Sequence, residues 1–136
     1  MTAVTKVLFV GFTLPQKLIE TYFSQRYPPP VPTLEFGATV VRALAQARFQ
    51  VNLLSFVPAD DYPRHPRRLF LSECIDVDGA SGRTLPYVNS IATKHLTRFV
   101  SLCLYLPRAV RDAQSQTVVI HGVHSAFLLF GAIASV

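Results

Sequence analysis

Two short apolar runs constrain the fold of this chain more than any other feature. Val7, Leu8, Phe9, Val10 and Gly11 form the first, and Thr117, Val118, Val119 and Ile120 form the second. Brief continuous runs of β-branched, aliphatic and aromatic residues between polar stretches are the pattern of strands buried on both faces of a parallel sheet. Helical periodicity follows the first run, so the chain opens as a β-α-β unit. Open parallel sheets bind ligands in the crevice beyond the carboxyl ends of their strands. Composition agrees, because half of the 136 residues are hydrophobic and only 15% are charged, against about 25% in an average domain. The length allows one domain.

After Gly11, residues 12–15 form a turn-like exit. Residues 16–25 follow as a short amphipathic helix with Leu18, Ile19, Tyr22 and Phe23 on one side. Tyr27, Pro28, Pro29, Pro30, Val31 and Pro32 predict an extended, polyproline-like loop. Long loops at the carboxyl end of a parallel strand often form lids or acceptor sites. Thr33 then caps a helix that starts near Leu34, with Glu35 in its first turn and Phe36, Val40, Val41, Leu44 and Ala45 as its stripe. Gly37 costs that helix stability, which implies a close approach. Two partners fit: a phosphate or second domain at the helix start, or the first strand beneath it. Residues 49–56 form the second strand.

Residues 58–68 read as a loop, and the Asp60-Asp61 pair in it as a solvated turn. Residues 69–71 and 74–77 predict short strands, Asp78-Gly79 and Ser81-Gly82 predict turns, and residues 84–87 predict a further strand or strand end. Together they suggest a hairpin on the sheet edge. Residues 95–113 carry Leu96, Phe99, Val100, Cys103, Leu104, Leu106 and Val110 at helical intervals, with Pro107 expected to kink or divide the helix. On that pattern Arg98, Arg108 and Arg111 point toward solvent or an anionic surface. Residues 126–134 resume as an apolar helix in which the chain stops, which predicts a truncated domain.

The formal charge of +5 comes from 13 basic and 8 acidic residues. The arginines are dispersed, with no aromatic-interleaved basic patch, so the pattern argues against a nucleic-acid partner. Cys74 and Cys103 have neither metal-ligand nor redox spacing, which suits a reduced compartment, and no metal site is expected. The first six residues lack a secretory pattern. The dinucleotide fingerprint, the phosphate loop and the Gly-x-Ser-x-Gly elbow are all missing, which removes support for NAD-linked, ATPase and hydrolase readings.

The strongest local constellation is Ile120, His121, Gly122, Val123, His124 and Ser125, a strand-to-helix turn that presents an imidazole to the crevice. A structural role for His121 and a substrate-contacting one both fit this position. His124 fits a structural or capping role, and amides near Ser125 suit an anion.

The chain resembles the N-terminal domain of two-domain, nucleotide-sugar-dependent glycosyltransferases of the GT-B type, especially the large retaining family four. The resemblance rests on residues 7–11, on Glu35-Phe36-Gly37 leading into Val41-Arg42-Ala43-Leu44-Ala45, on residues 49–55, and on Val118-Val119-Ile120-His121-Gly122. It implies an α/β, Rossmann-like three-layer fold with a mostly parallel sheet. It implies transfer of a sugar from a nucleotide-sugar to an acceptor hydroxyl with retention, the nucleotide-sugar being a substrate and no cofactor being tightly bound. His121 is implied as the cleft histidine at the transferred sugar, and Gly11, Phe12, Gly37 and Gly122 as the lining near the donor phosphates. The acceptor is a sugar, a lipid-linked molecule or a small molecule, chosen in part by residues 16–32. The donor-binding C-terminal domain is the expected partner, and the chain alone is expected to be inactive. The implied location is cytoplasmic, with peripheral contact at the inner membrane surface. A non-catalytic ligand-binding or regulatory module is the alternative.

Overall fold

The structure, a computed structural model, describes residues 3–121. In chain order its elements are β1 (Lys6–Gly11), α1 (Gln16–Tyr22), α2 (Val31–Gln46), β2 (Gln50–Ser55), β3 (Leu69–Phe70), β4 (Cys74–Val77), β5 (Ala80–Thr84), β6 (Tyr87–Val88), α3 (Lys94–Ala113) and β7 (Thr117–Ile120). The fold is mixed α/β. Its main sheet has five strands in the order β4-β5-β2-β1-β7, and β3 pairs with β6 in a separate ribbon.

The strand order follows burial. β1 is the most deeply buried strand of the described sheet and sits between β2 and β7, parallel to both, with Val7 opposite Val51 and Thr117. Val7, Leu8, Phe9 and Val10 are at most 3% exposed, as a strand covered on both faces requires. β5 runs parallel to β2, and β4 closes the edge antiparallel to β5. The expected edge hairpin is therefore present, made by β4 and β5 around Asp78 and Gly79. Both turn residues have positive φ, 52° and 84°, the conformation of a two-residue turn that twists with its strands. Ser81-Gly82, expected as a second turn, instead lies inside β5, where Gly82 pairs with Leu53.

Alternation along the strands assigns the helices to faces. Phe36 of α2 packs on His121, which also stacks on Phe9. Residues of the other face, Leu8, Asn52, Leu54, Ser81 and Arg83, border a groove shared with Tyr105 and Arg108 of α3. The sheet therefore lies between α2 and α3.

Three local expectations change. α2 starts at Val31, three residues before Leu34, with Pro30 at its N-cap and no side-chain cap, so Thr33 is a first-turn residue and not the cap. The reason is Pro32, whose fixed φ suits a first helical turn and whose missing N–H would have had no partner there. The extended segment thus ends at Pro30. α1 stops at Tyr22, short of residue 25. α3 runs from Lys94 to Ala113 as one helix through Pro107, which lies on its exposed side, where the carbonyl it frees is open to hydration.

The largest departure is the orientation of α3. Arg98, expected in solvent, is 2% exposed, while Leu96, Val100 and Leu104 from the expected core stripe are 63%, 46% and 62% exposed. Leu102 and Leu106 do reach the core, but Lys94, Arg98 and Ser101 share that face.

Candidate functional site

The strand order changes direction at β1: β2 and β5 lie to one side, and β7, formed later in the chain, to the other. Loops leaving the carboxyl ends of adjacent strands diverge at such a point and open a crevice. Gly11, Phe12 and Thr13 leave β1 here, and His121 leaves β7. The His121 amide donates to the Val10 carbonyl at 2.8 Å, which continues the ladder one residue past β7. A Cβ on Gly11 would stand 3.0 Å from Phe9 Cε1 and 3.2 Å from the His121 carbonyl oxygen, so the glycine permits this close exit.

The His121 ring lies between Phe36 and Phe9, at centroid distances of 4.6 and 6.1 Å. Burial against these groups holds its pKa below the ordinary histidine value. The ring is therefore neutral at pH 7, as a proton acceptor needs to be. Its Nδ1 is buried and has no hydrogen-bond partner among the described residues.

Gly37 does not stand at the helix start. It lies in the second turn of α2, buried against the exit of β1, where a Cβ would fall 2.5 Å from Thr13 Oγ1 and 2.9 Å from the Phe12 carbonyl oxygen. Of the two close approaches open to it, this is the one with the first strand. The Thr13 amide in turn donates to Ser55 Oγ at 2.8 Å, and the Phe56 amide to the Gly11 carbonyl at 3.0 Å. The exits of β1 and β2 and the side of α2 are thus fixed to one another. His121, Gly11 and Phe12 converge there, with Gly37 behind them and the Phe12 side chain buried. Gly122, His124, Ser125 and residues 126–134 lie outside the described residues.

Sequence reasoning missed a second constellation, beneath the loops that follow β2 and β5. The Arg98 guanidinium donates to the Val57 carbonyl at 3.2 Å and lies 4.4, 5.4 and 5.6 Å from the ring centroids of Tyr87, Phe56 and Phe12. The Tyr87 hydroxyl donates to the same carbonyl at 2.5 Å, and burial raises its pKa. Among the described residues no carboxylate forms an ion pair with Arg98. A guanidinium tolerates this better than an ammonium because it is weakly hydrated and stacks on rings. No periodicity signals such a residue, since a charged side chain on a helix reads as outward.

One turn earlier, Lys94 Nζ donates to the Ala59 carbonyl at 2.6 Å and to Asp61 Oδ1 at 2.8 Å. Asp61 is therefore no free turn residue. Its pKa is lowered, first by the hydrogen bond from Lys94 and then by the cations around it. The pKa of Lys94 is also lowered, because burial disfavours the ammonium by more than Asp61 restores. The asymmetry matches the geometry, with side chains 10% and 45% exposed for Lys94 and Asp61. Both shifts mean that the unfolded chain binds more protons within the corresponding windows, so stability rises with pH in each. On the acid side, the contribution of Asp61 is complete above 3.8 and is lost as pH falls through its lower folded value. The expected result is a loss of less than about 1 kcal/mol, the scale of a partly exposed pair. Urea unfolding of wild type and Asp61→Asn on either side of that window checks it, and equal slopes for the two proteins would contradict it.

Lys94, Asp61, Asp60 and Arg64 border a cavity of about 380 Å³. A neighbouring cavity of about 240 Å³ is lined by Arg26, Tyr27 and Pro28 from the loop before α2, with His65 at its side. His65 is 3% exposed, receives the Arg67 amide at Nδ1 and contacts the Tyr22 carbonyl through Nε2 at 2.7 Å, so it is a neutral structural histidine. Among the described residues no three His, Cys, Asp or Glu side chains converge as a metal would need, and no helix is long and apolar enough to cross a membrane. No protein family, curated protein or solved structure matches the chain.

Proposed function

We propose that the chain is the acceptor-side, Rossmann-like domain of a two-domain glycosyltransferase that moves a sugar from a nucleotide-sugar to an acceptor hydroxyl with retention. The observation that carries this reading is the neutral His121 imidazole at the carboxyl end of β7, seated on Phe36 beside the exit of β1. Ligands of open parallel sheets bind at that place. A neutral imidazole there accepts a hydrogen bond from a sugar or acceptor hydroxyl and holds it in line with the reacting carbon.

The loops support the same division of labour. Residues that follow β1 and β2 supply Arg26, Tyr27, Asp60 and Arg64 to adjoining cavities on the carboxyl side of the sheet. These are hydrogen-bonding and stacking groups of the kind that select a polar acceptor. Gly11 and Phe12 line the phosphate side of the same crevice in this reading, and Gly37 keeps α2 close enough to border it. The donor's diphosphate then takes its remaining contacts from a second domain facing this edge. Without those contacts the leaving group is poorly stabilised and transfer is slow.

The test is transfer from a panel of nucleotide-sugars, measured for the chain alone and for the chain joined to a donor-binding C-terminal half. Transfer with both halves, falling about a hundredfold in His121→Ala without a change in melting temperature, is the expected result. Turnover indifferent to His121 would overturn the assignment of that residue. Ligand binding without transfer in either form would replace the enzyme by a binding module.

A further inference from the structure

We propose that the two adjoining cavities at the carboxyl edge form one site for a phosphorylated polyol, with its phosphate at Arg26 and Arg64 and its hydroxyls at Asp60 and Lys94. The larger cavity, about 380 Å³, is bordered by Lys94, Asp61 and Tyr62, and the smaller, about 240 Å³, by Arg26, Tyr27 and Pro28. Asp60 and Arg64 line both, so they form the wall that the two share. Concave spaces of this scale, with a few polar groups converging on them, are the usual form of small-molecule sites.

The walls are held in place before a ligand arrives. His65 is buried, contacts the Tyr22 carbonyl through Nε2 at 2.7 Å, and lies 5.8 Å from the ring centroids of both Phe23 and Tyr27. Asn89 Nδ2 donates to the Asp60 and Arg67 carbonyls at 2.9 and 3.0 Å, which pins the chain on either side of Arg64. Pro28 fixes its own φ next to Tyr27. A site whose backbone is already ordered loses less entropy on binding.

Charge and hydrogen bonding name the ligand together. Among the described residues neither Arg26 nor Arg64 forms an ion pair, whereas Lys94 and Asp61 neutralise each other. Two guanidinium forks suit a phosphate dianion, which has oxygens and charge for both, where a carboxylate carries a single charge. Asp60 puts an acid on the same wall, also without an ion pair among the described residues. It repels a bare anion and accepts hydrogen bonds from hydroxyl groups. Lys94 uses two of its three N–H donors on Ala59 and Asp61, so one is left for a ligand oxygen. Unpaired cations beside a free acceptor therefore select a molecule with phosphate and hydroxyls together, over free phosphate or a neutral sugar. Binding stands by itself, but the site's role as the acceptor site rests on the glycosyl-transfer reading.

Isothermal titration of the purified chain with glucose 6-phosphate, glucose and inorganic phosphate tests the site without any transfer step. The expected result is binding of glucose 6-phosphate at least about tenfold tighter than of glucose or of inorganic phosphate. Arg26→Gln/Arg64→Gln should weaken it at least about tenfold, with unchanged circular dichroism. Asp60→Ala should act in opposite directions, weakening glucose 6-phosphate and tightening inorganic phosphate. No binding of glucose 6-phosphate, no preference for it over either comparison ligand, or indifference to the arginine variant overturns the inference. So does a preference over inorganic phosphate that Asp60→Ala leaves unchanged. Sugar transfer to a neutral acceptor would keep the glycosyl-transfer reading after any of these failures. Binding as expected, with no transfer once a donor-binding half is joined, would keep the site and remove that reading.

Discussion

Replacing Gly82 by Ala is expected to destabilise the domain by about 4 kcal/mol, a large share of the total stability of a domain this size. The added Cβ would lie 1.9 Å from the Leu53 carbonyl oxygen, 2.6 Å from the Leu53 carbonyl carbon and 2.8 Å from its Cα. All three obstacles are backbone, so no rotamer change relieves the overlap, and β5 must separate from β2. That separation breaks the pairing of Asn52 to Ser55 with Ser81 to Thr84 and detaches β4 with it. Gly79, three residues earlier, is the internal control. Nothing stands within 4 Å of its Cβ position, and its cost arises from a φ of +84°. Gly79→Ala should therefore lose only about 1 kcal/mol. Denaturant titration of the two variants measures both values, and similar losses would contradict the steric account of Gly82.

Arg98→Ala should cost about 3 kcal/mol, the scale of a large buried side chain truncated to a methyl group. It empties the space among Phe12, Phe56 and Tyr87 and leaves the Val57 carbonyl with the Tyr87 hydroxyl alone. Arg98→Met separates volume from charge. It refills most of the cavity, removes a buried cation that has no counter-ion among the described residues, and should fall within about 1 kcal/mol of wild type. Thermal unfolding of both variants decides the point. If Met is as damaging as Ala, the guanidinium's hydrogen bond and ring contacts outweigh its desolvation. Because Arg98 bridges loops after β1, β2 and β5, its loss should also loosen the floor of the crevice.

These variants mark where the sequence was legible. β1 was readable because a strand buried on both faces must be apolar throughout, and Val7 to Val10 leave no other reading. β7 was readable as a strand, but it ends the described sheet and is largely exposed, not buried on both faces as its apolar run suggested. Gly37 was readable as a close approach, though the sequence could not decide that its neighbour is the Phe12 carbonyl. The place of His121 at the carboxyl end of a strand was readable, while the ring it packs on, Phe36, was assigned to the helix stripe and nothing more. α3 was read partly with the wrong side inward: Phe99, Leu106 and Val110 of its stripe do pack on the core, while Leu96, Val100 and Leu104 do not, for a definite reason. Apolar residues occupy more than one side of this helix, so periodicity alone cannot choose between Leu96-Val100-Leu104 and Leu102-Leu106. The choice depends on Arg98, and whether a guanidinium can be buried depends on three aromatic rings and a carbonyl from distant strand ends. Ser81-Gly82 failed similarly: a Ser-Gly pair favours a turn locally, and only the contact with Leu53 explains a glycine in mid-strand.

The pairing of β1 with β7 has a consequence for how the crevice comes into existence. Residue 7 meets residue 117 in that ladder, whereas the β4–β5 hairpin closes across two turn residues. Contacts so far apart in sequence carry the largest loop-closure cost and slow a chain's folding more than local ones do. The switch point between β1 and β7 therefore depends on the longest-range register in the described sheet. A ligand held there senses the completed topology and stabilises it by mass action, so binding and the final arrangement of the chain form a single thermodynamic linkage.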